Sequence, residues 1–181
     1  MIATAQLTAA DLAALPDDGN RYELLRGDLL TMPPTGLDHG MVFGETFWQF
    51  KRFARETDAG IVVSEVGFLL ARDPPTVLAP DVAFIRRDRV PAAADHRGFA
   101  ELAPDLVVEV VSPSNSMSEI HDKVLTFLET GVHAVLVLEP KRRTVTVHTP
   151  DRMARTLVVG EVLDGLDVLP GFAVPVADLF A

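Results

Sequence analysis

Glu109 differs from the other charged residues because it lies inside an apolar run, DLVVEVVSPS, at residues 105–114. The valines and the leucine around it have the length and β-branched content of a strand that is buried on both faces. Moving an isolated ionised carboxylate out of water costs several kcal/mol even after relaxation. Glu109 therefore requires a cation, strong hydrogen-bond donors or a water-filled opening, which other parts of the chain must supply.

Asp81 is the first candidate for a partner group. It follows Pro80 at the start of another predicted strand, in the sequence APDVAFI. If the two strands are neighbours, the carboxylates of Asp81 and Glu109 can converge on a divalent cation. Alternatively, Asp81 caps a turn and Glu109 meets an arginine, because structural ion pairs also bury carboxylates. Both interpretations remain open from the sequence.

Lys123 is a candidate cation, since it lies in the helix predicted after the Glu109 strand, beside Val124 and Phe127. From this position its ammonium group can reach back to the end of that strand. It can also pair with Glu119 on a solvated helix face, in the favourable i,i+4 order. Taken alone, the second interpretation is favoured because such pairs are common.

The remaining polar candidates are weaker. Ser112 and Ser114 lack the G-x-S-x-G pattern of an activated serine. The histidines show no paired metal-ligand spacing, and only His39, at the start of a long predicted helix, is kept as a candidate. Glu23 and Glu65 lie in apolar β segments, but both can alternate outward to solvent. The histidines are His39, His96, His121, His133 and His148.

The first half of the chain predicts two helices and several strands. Thr8 and Pro16 have the spacing of an N-cap and a stop signal around a short helix. RYELLRGDLLTM predicts two strands around a turn, and a longer helix is predicted from Asp38 to about Thr57. GIVVSEVGFLLARD and APDVAFIRRD predict further β segments, separated by a loop at Pro74-Pro75. The predicted apolar face of the long helix consists of Phe43, Phe47, Phe50 and Ala54.

The second half predicts a strand, a helix and three more strands. Residues 88–104 are irregular and are expected to form a mobile surface loop. After the Glu109 strand, Ser116 and Glu119 have capping-box spacing and Gly131 is placed as a C-cap. HAVLVLEP, RTVTVHTP and MARTLVVG then predict strands. This order indicates an α/β fold, with one mixed sheet flanked by helices in a single domain over residues 1–181.

The composition of the chain limits which metals and partners the protein is expected to bind. The chain of 181 residues has no cysteine, so a metal must be bound by oxygen or histidine, which favours hard cations such as Mg²⁺ or Mn²⁺. No apolar run approaches the length of a membrane span, and the amino-terminal residues lack a signal pattern, so a soluble cytoplasmic protein is expected. The net charge of −10 argues against a general nucleic-acid binder.

Two groups of basic residues could still create a local positive face, or could simply be solvated charge clusters, which is the favoured interpretation. The first basic cluster is Arg86, Arg87, Arg89 and Arg97, and the second basic cluster is Lys141, Arg142 and Arg143.

Several motifs together resemble the Uma family of predicted restriction endonucleases, formerly a domain of unknown function. They are YELLRGDLL, DHG, EVGFLL, PDVAFI, PDLVVEVVSPSNS, a lysine in the next helix, GVHAVLVLEP and LPGFAVPVADLF, over nearly the whole chain. That family is assigned to the PD-(D/E)XK nuclease superfamily. The resemblance therefore implies a restriction-endonuclease-like mixed central β-sheet flanked by α-helices.

The resemblance also implies catalytic roles for Asp81, Glu109 and Lys123, with Asp81 and Glu109 binding the metal. The superfamily lysine usually lies two residues after the second acid, where this chain has Val111, and in the Uma pattern a helix lysine takes its place. Other departures are Glu119 for the usual aspartate, Phe127 for tyrosine, Ala134-Val135 for YW and Glu139-Pro140 for DP. These changes bear on packing and partner surfaces more than on the two acids and the lysine.

The implied activity is Mg²⁺- or Mn²⁺-dependent cleavage of DNA, with a homodimer as a plausible way to cut both strands. A catalytically inactive module with the nuclease fold, which binds nucleic acid or protein, is the alternative. A hydrolase that uses the carboxylates as general acid and base is a third possibility, but it does not need Lys123.

Overall fold

The computed structural model describes residues 7–92, 97–113 and 115–181. The helices are α1 (Ala9–Ala13), α2 (Leu37–Thr57) and α3 (Met117–Glu129), with 3₁₀ turns at Arg87–Arg89 and Val176–Phe180. The strands of the first half are β1 (Arg21–Leu25), β2 (Asp28–Met32), β3 (Gly60–Ser64), β4 (Phe68–Arg72), β5 (Pro75–Leu78) and β6 (Val82–Arg86). Those of the second half are β7 (Leu106–Val110), β8 (Ala134–Glu139), β9 (Thr144–His148), β10 (Ala154–Leu157), β11 (Val162–Asp164) and β12 (Ala173–Pro175).

A six-stranded mixed sheet in the order β10-β9-β8-β7-β6-β3 forms the centre of the fold. Strands β7 and β8 are parallel and are connected through α3, whereas the other neighbouring strands are antiparallel. Every residue of β7 is buried, in agreement with the apolar run around Glu109. The predicted mixed sheet with flanking helices is confirmed.

Helices cover both faces of this sheet. Leu106, Val108 and Val110 of β7 pack in the same core as α2, whereas Val107 packs in the core that contains α3. Because residues two apart in a strand share a face, Glu109 follows Val107 onto the α3 side. Helix α3 has the predicted Ser116 cap, whose Oγ accepts the N–H of Glu119 at 3.0 Å.

A second, antiparallel sheet has the order β2-β1-β5-β4. Its first hairpin has the predicted turn, in which Arg26 and Gly27 take positive φ angles of 52° and 90°, as two-residue hairpin turns require. The prediction of a loop at Pro74-Pro75 was wrong in part, because Pro75 begins β5. Proline is tolerated at the first residue of a strand, and β5 then joins β4 to β1 by pairing with both.

The irregular segment at residues 88–104 is partly attached to the second sheet. The Ala100 carbonyl accepts the N–H of Leu69, and the Ala100 N–H donates to the Gly67 carbonyl, both at 2.9 Å. These bonds hold one part of the segment, which the sequence predicted only as an irregular surface loop, beside β4. His96 of this segment lies outside the described residues, as does Ser114.

Among the described residues, no helix is long and apolar enough to cross a membrane.

The long helix α2 anchors one core through Phe50. Phe50 and Ala54 are buried as predicted, whereas Phe43 and Phe47 are partly buried at the edge of the same core. The Phe50 ring stacks on Phe172, which precedes β12, with 4.5 Å between ring centroids. The β11–β12 hairpin was not predicted, because its strands have only three residues each.

We expect Phe50→Ala to lower the free energy of unfolding by about 3–5 kcal/mol, because it leaves a cavity between α2 and the terminal hairpin. Urea denaturation measures this change. Met41→Ala, on the exposed side of the same helix, is the control and should change stability by less than about 1 kcal/mol. Equal losses in the two variants would contradict this packing.

Candidate active site

Asp81 and Glu109 lie side by side at one end of the central sheet. Strands β6 and β7 are antiparallel with Val82 opposite Val108, and this register places Asp81 next to Glu109. Both are buried, with 5% and 6% of their surface exposed. The strands that carry the two acids are therefore neighbours, as the convergence of their carboxylates requires.

The Asp81 carboxylate contacts the Val110 N–H and the side chains of His39 and Arg21. Its Oδ2 accepts the N–H of Val110 at 2.7 Å and lies 3.2 Å from Nε2 of His39. Nη2 of Arg21 is 3.8 Å from the other oxygen, Oδ1. His39, the histidine that the sequence analysis kept as a candidate, thus lies beside Asp81.

Glu109 lacks comparable partners. Its Oε1 is buried without a hydrogen bond, and the nearest cation is Nζ of Lys123 at 3.6 Å. Burial raises the pKa of Glu109 to about 8, because the loss of hydration outweighs the attraction of Lys123 and because Asp81 and Glu23 add repulsion. Lys123 is therefore a partner of Glu109 in its apolar strand, but its attraction does not offset the loss of hydration.

Lys123 faces the acids and not solvent. Its side chain is almost fully buried, and Nζ lies 2.7 Å from Oε2 of Glu23. Burial opposes its charge, but the attraction of Glu109 and Glu23 outweighs that effect and raises the pKa of Lys123. The favoured expectation of a solvated pair with Glu119 was wrong, because tertiary packing turns this helix face toward β1 and β7.

Glu23 is a buried member of the site that sequence reasoning ranked too low. Its Oε1 accepts the N–H of Ala79 at 2.7 Å, and its Oε2 pairs with Lys123. Alternation could not identify it, because Glu23 and its neighbour Leu24 are both buried in β1. Glu65 is exposed and lies outside this group, where it pairs with Arg21 at 2.7 Å.

The other sequence candidates lie at the edge of the site or away from it. The Ser112 N–H and hydroxyl both bond to Oδ1 of Asn115 at 2.9 Å, which shapes the loop before α3. His121, His133 and His148 do not line the cavity beside Asp81 and Glu109.

The two basic clusters do not form one positive face. The first basic cluster follows β6 beside Asp105, which pairs with Arg89 at 2.7 Å and Arg86 at 3.3 Å. The second basic cluster follows β8, where Arg142 pairs with Glu139 at 2.9 Å. Because β6 is antiparallel to β7 and β8 is parallel to it, the clusters lie at opposite ends of the sheet.

The donor set at the site suits a hard divalent cation. The three carboxyl groups of Asp81, Glu109 and Glu23 face only two permanent cations, Lys123 and the more distant Arg21, among the described residues. The adjoining cavity of about 20 Å³ has room for roughly one water-sized species. Within the described ranges, no group of three or more histidine, cysteine, aspartate or glutamate side chains is placed to hold a metal. Two carboxylates supplemented by water and substrate oxygens are typical ligands of Mg²⁺.

Comparisons with known proteins identify the family and a structure with a similar fold. Residues 9–177 match the model of the family Uma2, described as "Putative restriction endonuclease", and the chain belongs to this family. No curated protein matches the chain. A crystal structure described as a putative nuclease belonging to DUF820, from Anabaena variabilis ATCC 29413, is similar with a TM-score of 0.84. The match has 18% identity and covers 96% of this chain and 97% of the other, which supports the restriction-endonuclease-like fold.

We expect the unpartnered carboxylate to make stability depend on pH in protein freed of divalent ions. The pKa of Glu109 is raised from 4.5 to about 8 on folding, so the folded state holds this proton more tightly. The resulting contribution is fully present below about pH 4.5 and is lost as the pH rises through 8, by an amount on the order of a few kcal/mol. The raised pKa of Lys123 also contributes to stability, but this contribution is lost only above pH 10.5, outside this pH range.

Urea denaturation in EDTA, from about pH 5 to about pH 9, measures this dependence. Glu109→Gln should remove the fall in stability with rising pH and be more stable than the wild type at the alkaline end. Glu65→Gln, at an exposed position, should keep the wild-type slope. A wild-type slope in Glu109→Gln would contradict the prediction.

Proposed function

We propose that this protein is a metal-dependent DNA endonuclease that hydrolyses phosphodiester bonds. The observation that carries the proposal is the buried Oε1 of Glu109, which has no hydrogen-bond partner, lies beside Asp81 and is 3.6 Å from Nζ of Lys123. Burial raises the pKa of Glu109 to about 8, so ionising this carboxyl in the folded protein is unfavourable without a further cation. A divalent cation would relieve it, and membership of the family supports a nuclease role.

Asp81 and Glu109, together with the Val110 carbonyl, are the proposed ligands of Mg²⁺ or Mn²⁺. When bound, such an ion lowers the pKa of a coordinated water and acts as a Lewis acid toward a phosphate oxygen. His39 and the Val110 N–H orient the Asp81 carboxylate, because both contact the same oxygen, Oδ2. The ligand geometry is therefore organised by β6, β7 and the first turn of α2.

Lys123 is proposed to stabilise negative charge that develops on the phosphate. Glu23 and Glu109 hold it in the charged form, so a role as an electrostatic stabiliser is favoured over removal of a proton from water. Glu23 anchors the ammonium group at 2.7 Å and thereby positions it next to the two proposed metal ligands.

The position of Lys123 argues against the alternative of an inactive module. A Lys123 side chain directed to solvent would have favoured it, whereas Lys123 is buried against two carboxylates. The general acid and base alternative leaves this lysine without a role. Cleavage of both DNA strands requires two sites, and a homodimer is the proposed arrangement that supplies them.

We expect Mn²⁺ to bind the wild type, and the metal-loaded protein to nick supercoiled plasmid. Glu109→Gln should lose both properties, because it removes a proposed ligand and its charge. Calorimetric titration measures binding, and a plasmid assay on the same samples measures cleavage. Glu65→Gln removes an exposed carboxylate and should retain both. Metal-dependent nicking that survives alanine at both Asp81 and Glu109 would contradict the proposal.

Lys123→Met should separate binding from chemistry. We expect it to bind Mn²⁺ but to lose nicking by about 10²-fold or more, because a charge-stabilising group is removed. It should also unfold more easily, by about 3–5 kcal/mol, since Glu23 and Glu109 lose their cation. The double variant Glu23→Gln, Lys123→Met should recover part of this stability and remain inactive. If nicking returns together with stability, Lys123 has only a structural role.

A further inference from the structure

The outward face of α2 carries an exposed aromatic side chain among several cations. Trp48 is 51% exposed, although an indole ring usually contributes substantial area to a core. Together with Lys51, Arg52 and Arg55 it lines a surface depression of about 410 Å³, with Glu56 at the same depression. These four residues, Trp48, Lys51, Arg52 and Arg55, form what we name the α2 patch.

The cations of the α2 patch are not neutralised by acids. Over the part of the chain that the structure describes, Lys51, Arg52 and Arg55 form no ion pair with a carboxylate, although many other basic side chains do. Lys51 instead donates to the Val62 carbonyl at 2.9 Å, and Arg52 donates to Oε1 of Gln49 at 3.0 Å. The basic residues that do pair with acids are Arg21, Arg26, Arg72, Arg86, Arg87, Arg89, Lys123, Arg142 and Arg155.

Contacts within the helix account for only part of this arrangement. The Arg52 guanidinium lies over the Trp48 ring, 4.5 Å from its centroid, in a cation–π contact one helical turn apart. Such a contact adds little stability at an exposed site. Nζ of Lys51 lies 5.8 Å from the centroid of the Phe47 ring. An exposed ring with three unneutralised cations has the composition of a surface that stacks on bases and contacts phosphates.

The α2 patch lies on the same helix as His39 but on the opposite face. His39, in the first turn, is buried and contacts Asp81, and Trp48 lies about 14 Å further along the helix axis at 1.5 Å per residue. At 3.6 residues per turn this separation is about two and a half turns, so Trp48 faces away from the core that His39 enters. Arg55 lies about 24 Å from His39 on the same scale.

We propose that the α2 patch binds a single-stranded segment of nucleic acid. An unpaired base stacks on Trp48, while Lys51, Arg52 and Arg55 contact the backbone phosphates. Binding is local because the whole chain carries a net charge of −10. A symmetric contact between two copies centred on Trp48 is less suitable, since it would bring both sets of cations together. The inference rests on the proposed function for the identity of the strand, but its test does not require cleavage.

Trp48 is the only tryptophan in the chain, so intrinsic fluorescence reports on the α2 patch alone. In EDTA, an oligothymidylate of about 15 nucleotides, near the upper site size of single-strand binders, should quench this emission in a saturable way. A duplex of the same length should bind more weakly. Quenching in Glu109→Gln should match the wild type, so loss of cleavage and loss of binding are distinguishable.

Variants are compared by the anisotropy of the same oligonucleotide carrying a fluorescent label. Trp48→Ala should weaken binding about fivefold or more. Replacing Lys51, Arg52 and Arg55 by alanine should reduce the dependence of log Kd on log salt by about 2. The control is Arg155→Ala, which removes an exposed arginine on β10 and should leave Trp48-dependent binding unchanged.

The inference is overturned if the oligonucleotide leaves Trp48 emission unchanged, or if the patch variants bind no more weakly than Arg155→Ala. It is also overturned if the duplex binds more tightly than the single strand with no effect of Trp48→Ala. Emission that changes with protein concentration alone, without oligonucleotide, would identify the α2 patch as a contact between copies.

Discussion

An excess of buried carboxylates over cations is the constraint on which the rest of the structure depends. Asp81 and Glu23 lie close enough to Glu109 to raise its pKa by repulsion, and Lys123 is the buried ammonium group that pairs with Glu23 and Glu109. Such a cluster is unfavourable for folding unless each charge is held by good contacts. Glu23 and Asp81 have such contacts, whereas Oε1 of Glu109 has no hydrogen-bond partner. Compensation is therefore least complete at the residue that faces the cavity.

This cluster also connects the two sheets. Glu23 belongs to β1 of the second sheet, yet it binds Ala79 just before β6 and Lys123 on α3. The ion pair thus links β1 of the second sheet to α3, which packs on the central sheet. The link lies close to Asp81, the residue before β6. Packing and proposed chemistry depend on the same contacts, so a substitution here affects both stability and activity.

The two faces of helix α2 have different roles. Its inner face fills the core with Phe50 and Ala54 and presents His39 to Asp81, whereas its outer face carries the α2 patch. The basic clusters noticed in the sequence are largely neutralised by neighbouring acids, as Asp105 does for Arg86 and Arg89. The local positive surface of this acidic protein is therefore the α2 patch, whose basic side chains form no ion pair among the described residues. It does not coincide with the two clusters in which basic residues are most frequent in the sequence.

The sequence by itself determined the order of most strands and helices, since burial, capping and turn preferences are local. It also singled out Asp81, Glu109 and Lys123, because buried acids and a resemblance to the Uma family depend on residue type and spacing. Local rules failed at β5, where Pro75 suggested a loop, and at Glu23, where alternation suggested a solvent-facing side chain.

Only the tertiary structure decided that Lys123 faces Glu23 and Glu109 and not Glu119, because both arrangements satisfy the same helical pattern. It also decided that the two basic clusters are separated and that the unneutralised cations gather on α2. The physical reason is that hydration and Coulomb energy depend on which groups are close in space, and distant parts of the chain determine that proximity.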